Sequence, residues 1–137
     1  MSVLKSDRST SPVQFLESAR QLEVYTLRMS TKLPKRYLYL HTVILTNLSH
    51  EIYNKCKMAN SVFPTNAHEV QLRRDYFIQA YSATQALSSQ LEITCEMFTD
   101  VSITQSEWIN WVKLVNDCCK YIVAIMKSDC NRYSSLK

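Results

Sequence analysis

Apolar residues recur at three- and four-residue steps along four stretches of the chain, which is the spacing that one face of an α-helix requires. The pattern predicts helices over residues 12–31, 37–60, 67–98 and 105–128 or a little beyond. The apolar face of the first helix consists of Phe15, Leu16, Ala19, Leu22, Tyr25 and Met29. Each amphipathic helix needs a surface on which to bury such a face, so we expect the four helices to share one core.

Capping residues and prolines mark where these helices begin and end. Ser11-Pro12 fits an N-cap followed by proline at the first helical position. Pro34 lacks an amide hydrogen and restricts the residue before it, so the first helix should stop ahead of it. Thr104 and Glu107 match a capping box before the fourth helix. Together these signals predict short connections between the four helices.

The absence of glycine from the sequence narrows the fold class. Tight β-hairpins and the phosphate cradles of Rossmann and P-loop proteins depend on glycine, whereas long helices do without it. We therefore expect an all-α fold, an up-down-up-down four-helix bundle that forms one domain over residues 12–132. The polar stretches 1–11 and 133–137 are expected to be a disordered tail and a frayed tail.

Composition and charge describe a mildly basic protein. The 16 Lys and Arg residues exceed the 12 Asp and Glu residues, which gives a net charge of +4 that is compatible with a polyanion partner. The 5 cysteines are odd in number and lie in helical stretches, so we expect reduced thiols. No apolar run reaches the roughly 20 residues of a membrane span, and no secretory leader is recognisable. A cytoplasmic location without a membrane partner is expected.

Two groups of cations are candidates for nucleic-acid binding. Lys113, Lys120 and Lys127 repeat every seven residues and should form one line along the fourth helix, able to follow a phosphate backbone. Residues 33–40, called the corner below, contain cations beside two tyrosines, a combination that can hold phosphate and stack a base. The cations at and near the corner are Lys32, Lys35 and Arg36, and Arg73 and Arg74 add charge from the third helix.

Both groups also have a purely structural interpretation. The lysine line can be a solvated face that keeps a bundle soluble, with Asp117 close to two of the lysines. The corner can be a solubilising turn in which Tyr37 and Tyr39 pack across the bend. The sequence leaves these alternatives open.

The fourth helix is apolar on more than one side, which predicts a second buried surface against another copy of the chain. The residues expected at this oligomer interface are Trp108, Trp111, Val112, Cys119 and Met126. The alternative is a set of scattered exposed apolar residues, which are common on protein surfaces.

No constellation of residues indicates catalysis or a metal. His41, His50 and His68 are isolated, and His41 lies on an apolar face as a structural histidine would. Cys118 and Cys119 are adjacent and point to different sides, while Glu92 and Glu96 lack the acid-histidine motif that a di-iron bundle needs. We expect no enzyme activity, no cofactor, no metal and no small-molecule substrate.

Several motifs together resemble the accessory variability determinant proteins of bacterial and phage diversity-generating retroelements, within the four-helix family that includes proteins encoded in ribosomal RNA intervening sequences. The resemblance spans residues 13–132, and Leu33-Pro34-Lys35-Arg36-Tyr37 is its most specific part. The other motifs are Val24-Tyr25-Thr26-Leu27, Ile52-Tyr53, Ala59-Asn60, the arginine-bearing start of the third helix, and residues 103–107 followed by 108–113.

The resemblance implies a homopentameric barrel of four-helix protomers that binds a reverse transcriptase and RNA or DNA during mutagenic retrohoming, without catalysis of its own. The basic surface of the family would then include Lys35, Arg36, Arg73 and Arg74. The alternative function is that of a structural helical adaptor, of the ribosomal RNA intervening-sequence type, that acts through protein contacts only.

Overall fold

The computed structural model describes residues 13–98 and 101–136, and within them the chain forms four α-helices and no strand. The α-helices are α1 (Gln14–Ser30), α2 (Val43–Asn60), α3 (Ala67–Met97) and α4 (Gln105–Arg132). Two 3₁₀ helices (Lys35–Tyr37 and Ser134–Leu136) and a π-helical turn (Leu38–Thr42) complete the described elements. The predicted all-α class is confirmed, and the arrangement fits a helical bundle.

Local hydrogen bonds explain where α3 and α4 begin. Asn66 Oδ1 accepts from the Glu69 amide at 2.9 Å at the start of α3. Thr104 Oγ1 accepts from the Glu107 amide at 3.2 Å, and Glu107 Oε1 accepts from the Thr104 amide at 2.9 Å. The predicted capping box is therefore present. Each cap satisfies first-turn amides that have no partner within the helix.

The corner differs from the prediction of a single helix over residues 37–60. Pro34 is extended, with ψ at 134°, and the chain then makes the 3₁₀ and π-helical turns before α2 begins at Val43. The rings of Tyr37 and His41 both contact the Phe98 ring, with centroids 5.2 Å apart in each case. These two contacts attach the corner to the end of α3, so tertiary packing rather than helix propensity sets the local geometry.

The chain after α4 differs from the sequence expectation, although α4 itself ends a little beyond residue 128, as predicted. The helix continues to Arg132, and a 3₁₀ helix follows where a frayed tail was expected. An ion pair between Asp129 and Arg73 joins the last turns of α4 to α3. The tail predicted for residues 1–11 lies outside the described residues, as do positions 99 and 100 between the third and fourth predicted helices.

One buried stripe from each helix forms the core. Each helix packs against the next along the chain, and α1 also packs against α4. Leu22, Ile52, Leu87 and Ile122 are fully buried members of the four stripes. A buried polar contact between α1 and α4 joins Trp111 Nε1, the donor, to Thr26 Oγ1 at 2.9 Å.

Candidate nucleic-acid and protein interfaces

The three lysines of α4 form an exposed line on the side of the helix that faces away from the core. Lys113, Lys120 and Lys127 are all exposed, whereas Trp111 and Ile122 on the opposite side are buried. Successive lysines are two helical turns apart, which is about 10 Å along the axis. None of the three forms an ion pair within residues 13–98 and 101–136, and Asp117 does not neutralise them there. Their charges are therefore available to a partner.

Arg74 of α3 extends this line of charge across a surface groove. The groove has a volume of about 320 Å³ and is lined by Arg74, Tyr81, Val123, Met126, Lys127 and Cys130. Arg74 donates from Nη1 to Cys130 Sγ at 3.7 Å, which orients its guanidinium along α4. Tyr81 is exposed and offers an aromatic face in the same groove. We call Arg74, Lys113, Lys120 and Lys127 the cationic ridge.

The corner presents a second pair of cations, and its two tyrosines have different roles. Lys35 and Arg36 are exposed, and the Arg36 guanidinium lies 5.0 Å from the centre of the Tyr37 ring. Tyr37 packs on Phe98 and belongs to the fold, as the structural interpretation predicts. Tyr39 is 83% exposed, so that interpretation is wrong for this residue.

Lys32 does not belong to an open cationic surface. Its Nζ donates to Glu107 Oε2 at 2.7 Å and links the end of α1 to the first turn of α4. The hydrogen bond from Lys32, followed by that from the Thr104 amide, lowers the pKa of Glu107 below its ordinary value. The prediction that Lys32 contacts nucleic acid is corrected, because its charge is already paired within the fold.

The prediction that Arg73 contacts nucleic acid is also corrected, since only 5% of the surface of this residue is exposed. Nε and Nη2 donate to the two carboxylate oxygens of Asp129 at 2.6 and 3.3 Å. Nη1 donates to the carbonyls of Ala59 and Val62 at 3.1 and 3.2 Å. All these donors are used inside the protomer, so Arg73 cannot be a phosphate ligand without breaking the fold. In sequence it is indistinguishable from the exposed Arg74 beside it.

The predicted oligomer interface divides into two parts. Trp111 is 0% exposed and its ring stacks on that of Trp108 with centroids 5.5 Å apart, so the prediction is wrong for Trp111. Trp108 is largely buried but lines an apolar groove at the surface. Val112, Cys119 and Met126 are partly or largely exposed on the side of α4 that adjoins α3. This second group is accessible to another chain along its exposed side. The sequence could not separate the two sets because they lie on neighbouring faces of one helix.

An apolar groove that the sequence did not reveal lies between the last turns of α3 and the first turns of α4. Its volume is about 680 Å³. The lining residues are Leu91, Glu92, Cys95, Glu96, Phe98, Ile103, Gln105, Trp108, Ile109 and Val112. Ile109 is 61% exposed at its edge. The exposed Ile109 is a signal that could have been recognised, because it falls outside the core stripe of α4.

The titratable groups give no sign of a reactive centre within the described residues. Burial raises the pKa of the Cys118 thiol to about 12 and also raises that of Cys56, so both stay protonated near neutral pH. His41 packs on Phe98, and its Nδ1 lies 3.5 Å from Thr94 Oγ1. No group of three or more His, Cys, Asp or Glu residues in these ranges could hold a metal ion.

Fold and surfaces together define an all-helical protein that presents a cationic ridge and an apolar groove. No described helix combines the length and apolarity needed to cross a bilayer. No protein-family model, curated protein or solved structure matches the chain. Its function therefore has to be inferred from these surfaces and from the motifs in its sequence.

Proposed function

We propose that the protein is a non-catalytic, oligomeric accessory protein that binds RNA or DNA through the cationic ridge and brings it to a reverse transcriptase. The ridge supports the nucleic-acid part of this function. The motif resemblance supplies the polymerase, the retroelement setting and the homopentameric order. The proposal includes an up-down-up-down topology for the protomer, because short connections between helices favour antiparallel neighbours. It also places the protein in the cytoplasm.

The observation that carries the proposal is the exposed and unneutralised line of charge on α4. A spacing of about 10 Å between lysines corresponds to about three phosphates along one strand of a duplex. At one end of the line, Arg74 and Lys127 share a groove with the exposed Tyr81 ring. Cations that follow a backbone beside an aromatic face are the combination used to bind nucleic acid without sequence preference.

Charge reversal on the ridge tests this function. Lys120→Glu with Lys127→Glu should weaken the binding of oligonucleotides, measured by fluorescence anisotropy over a series of salt concentrations. The slope of log K against log salt should fall by about 0.7 to 0.9 for each phosphate that the variant no longer neutralises.

The matched control for this test is Arg28→Glu with Lys57→Glu. Both residues are exposed and lie on other helices, and the net charge changes by the same amount. The control should leave the salt slope near that of the original protein. Equal weakening in both variants would show that net charge rather than the ridge governs binding, and would refute the proposed surface.

A second candidate function is that of a structural adaptor that acts only through protein contacts. The exposed Ile109 beside the apolar groove favours it, because contiguous apolar surface marks protein interaction sites. No oligonucleotide binding at low salt, together with an intact oligomer by light scattering, would favour this alternative.

A further inference from the structure

The corner carries an unusual run of exposed apolar side chains. Leu38, Tyr39 and Leu40 are consecutive, and each is exposed. Lys35 and Arg36 precede them and are exposed as well. Three exposed apolar side chains on one helical turn are unfavourable in water unless something covers them. The corner therefore has the chemistry of one half of an interface, with apolar side chains at residues 38–40 and cations at Lys35 and Arg36.

The apolar groove has the complementary chemistry. Its floor is formed by buried apolar side chains such as Leu91 and Phe98, and the exposed Ile109 stands at its α4 edge. Glu92 and Glu96 stand at its α3 edge, one helical turn apart and both exposed. Neither carboxylate has an ion-pair partner in residues 13–98 and 101–136. The groove is thus an apolar slot with an anionic rim.

We propose that the corner of one copy of this chain docks into the apolar groove of a second copy. The run at residues 38–40 occupies the slot, and Lys35 and Arg36 meet Glu92 and Glu96 of the second copy. Apolar area and opposite charge match in the same contact, and this double match favours a second copy over an unrelated partner. The contact rests on the oligomeric part of the proposed function and gives it a specific interface.

The places of the corner and the groove on one copy limit how docked copies can be arranged. Tyr37 and His41 attach the corner to Phe98 of its own chain, and Phe98 also lines the groove. Residues 38–40 are exposed, so the corner lies beside its own groove without filling it. Two arrangements satisfy the contact: a two-fold dimer in which each corner enters the groove of the other copy, and a head-to-tail ring. The ring is the arrangement that agrees with the proposed function.

Charge reversal and charge exchange test the contact. The corner variant is Lys35→Glu with Arg36→Glu, and the groove variant is Glu92→Lys with Glu96→Lys. Each places like charges opposite each other, so light scattering after size exclusion should show dissociation towards the monomer. The dissociation constant should rise at least about tenfold. Mixing equal amounts of the two variants pairs opposite charges wherever the two kinds of copy alternate, so species heavier than the monomer should reappear. A ring of five cannot alternate throughout, so the original mass is not expected to return in full.

A control and a second variant keep this test decisive. Glu51→Lys with Asp75→Lys makes the same charge change at exposed positions on α2 and α3, away from the groove, and should keep the original mass. Tyr39→Ser should weaken association while its circular dichroism spectrum stays that of the original protein, because this side chain is largely exposed. Folded variants that keep the original mass, or a mixture that stays monomeric, would overturn the contact.

The readouts also separate this contact from the nucleic-acid surface. The groove variant removes no cation, so it should become monomeric while its protomers still bind a short oligonucleotide. The ridge variant should keep its mass while its oligonucleotide binding weakens. A groove variant of unchanged mass therefore refutes the contact alone, whereas a ridge variant with unchanged binding refutes the ridge alone.

Discussion

The guanidinium of Arg73 ties α3 to the end of α2 and to the last turns of α4. It is bidentate to Asp129 and also donates to the Ala59 and Val62 carbonyls. Its central carbon lies 5.1 Å from the centre of the Phe77 ring. Removal of a buried charge with this many partners lowers the free energy of unfolding, because the partners stay desolvated without the charge that compensated them.

We predict that Arg73→Met lowers the free energy of unfolding by about 3–5 kcal/mol, since Asp129 would be left without its counter-charge. Urea denaturation followed by circular dichroism measures the change. Arg74→Met is the control, because the neighbouring arginine is exposed and its replacement should alter stability by no more than about 0.5 kcal/mol. Similar destabilisation of the two variants would contradict a structural role for Arg73.

Arg73 also shows why the sequence alone misjudged part of the candidate site. Its partner Asp129 is 56 residues away, and no local pattern connects the two. Burial of a charged residue depends on such distant pairing, whereas the exposed Lys120 and Lys127 could be recognised from helical spacing alone. Exposure could therefore be predicted where the spacing within one helix decides it, and could not be predicted where pairing between two helices does.

At the scale of elements, the pair formed by Lys32 and Glu107 couples the end of α1 to the start of α4. Glu107 closes its own capping box and accepts from Lys32 at the same time. Tyr25 strengthens the junction, since its hydroxyl donates to the Glu107 carbonyl at 2.8 Å. One carboxylate thus serves helix initiation and interhelical contact together.

We predict that this junction makes stability depend on pH. The pKa of Glu107 is lowered in the folded state, first by the Lys32 hydrogen bond, relative to an unfolded value of about 4.3. Its stabilisation is therefore fully present above about pH 4.3 and is lost as the pH falls through the lower folded value. Glu107→Gln should reduce stability at neutral pH and flatten its acid dependence.

Thermal unfolding of the original protein and the Gln variant between neutral and acid pH measures this difference. Glu69 also has a lowered pKa, from its hydrogen bonds to Thr65, and contributes its own acid dependence. The difference between the two proteins isolates Glu107, since Glu69 is present in both. Parallel curves at all pH values would show that the ionised carboxylate adds nothing to the junction.

Helix type and most helix ends could be predicted because each depends on a short segment. α3 begins at Ala67 and α4 at Gln105, as the spacing and capping residues indicate. The corner could not be predicted in the same way. Its 3₁₀ and π-helical turns accompany ring contacts between Tyr37, His41 and Phe98, which bring together residues that are far apart along the chain.

At the scale of the whole molecule, the proposed ring and the proposed ridge reinforce each other. The line from Lys113 to Lys127 spans fourteen residues, which is about 21 Å or the length of about six base pairs. A single protomer can therefore hold only a short duplex. Copies joined through the corner and the groove would place several ridges on one particle, and a longer nucleic acid could contact more than one of them.

We predict that the oligomer binds a duplex of about 40 base pairs at least about tenfold more tightly than one of about 8 base pairs, beyond the statistical gain from extra sites, because the second contact becomes intramolecular. Anisotropy titrations with the two duplexes measure this gain. The monomeric groove variant should not show it, while Glu51→Lys with Asp75→Lys, which carries the same net charge, should keep it. A gain that persists in the monomer would mean that neighbouring ridges do not act together, and the nucleic-acid surface would then be complete within one protomer.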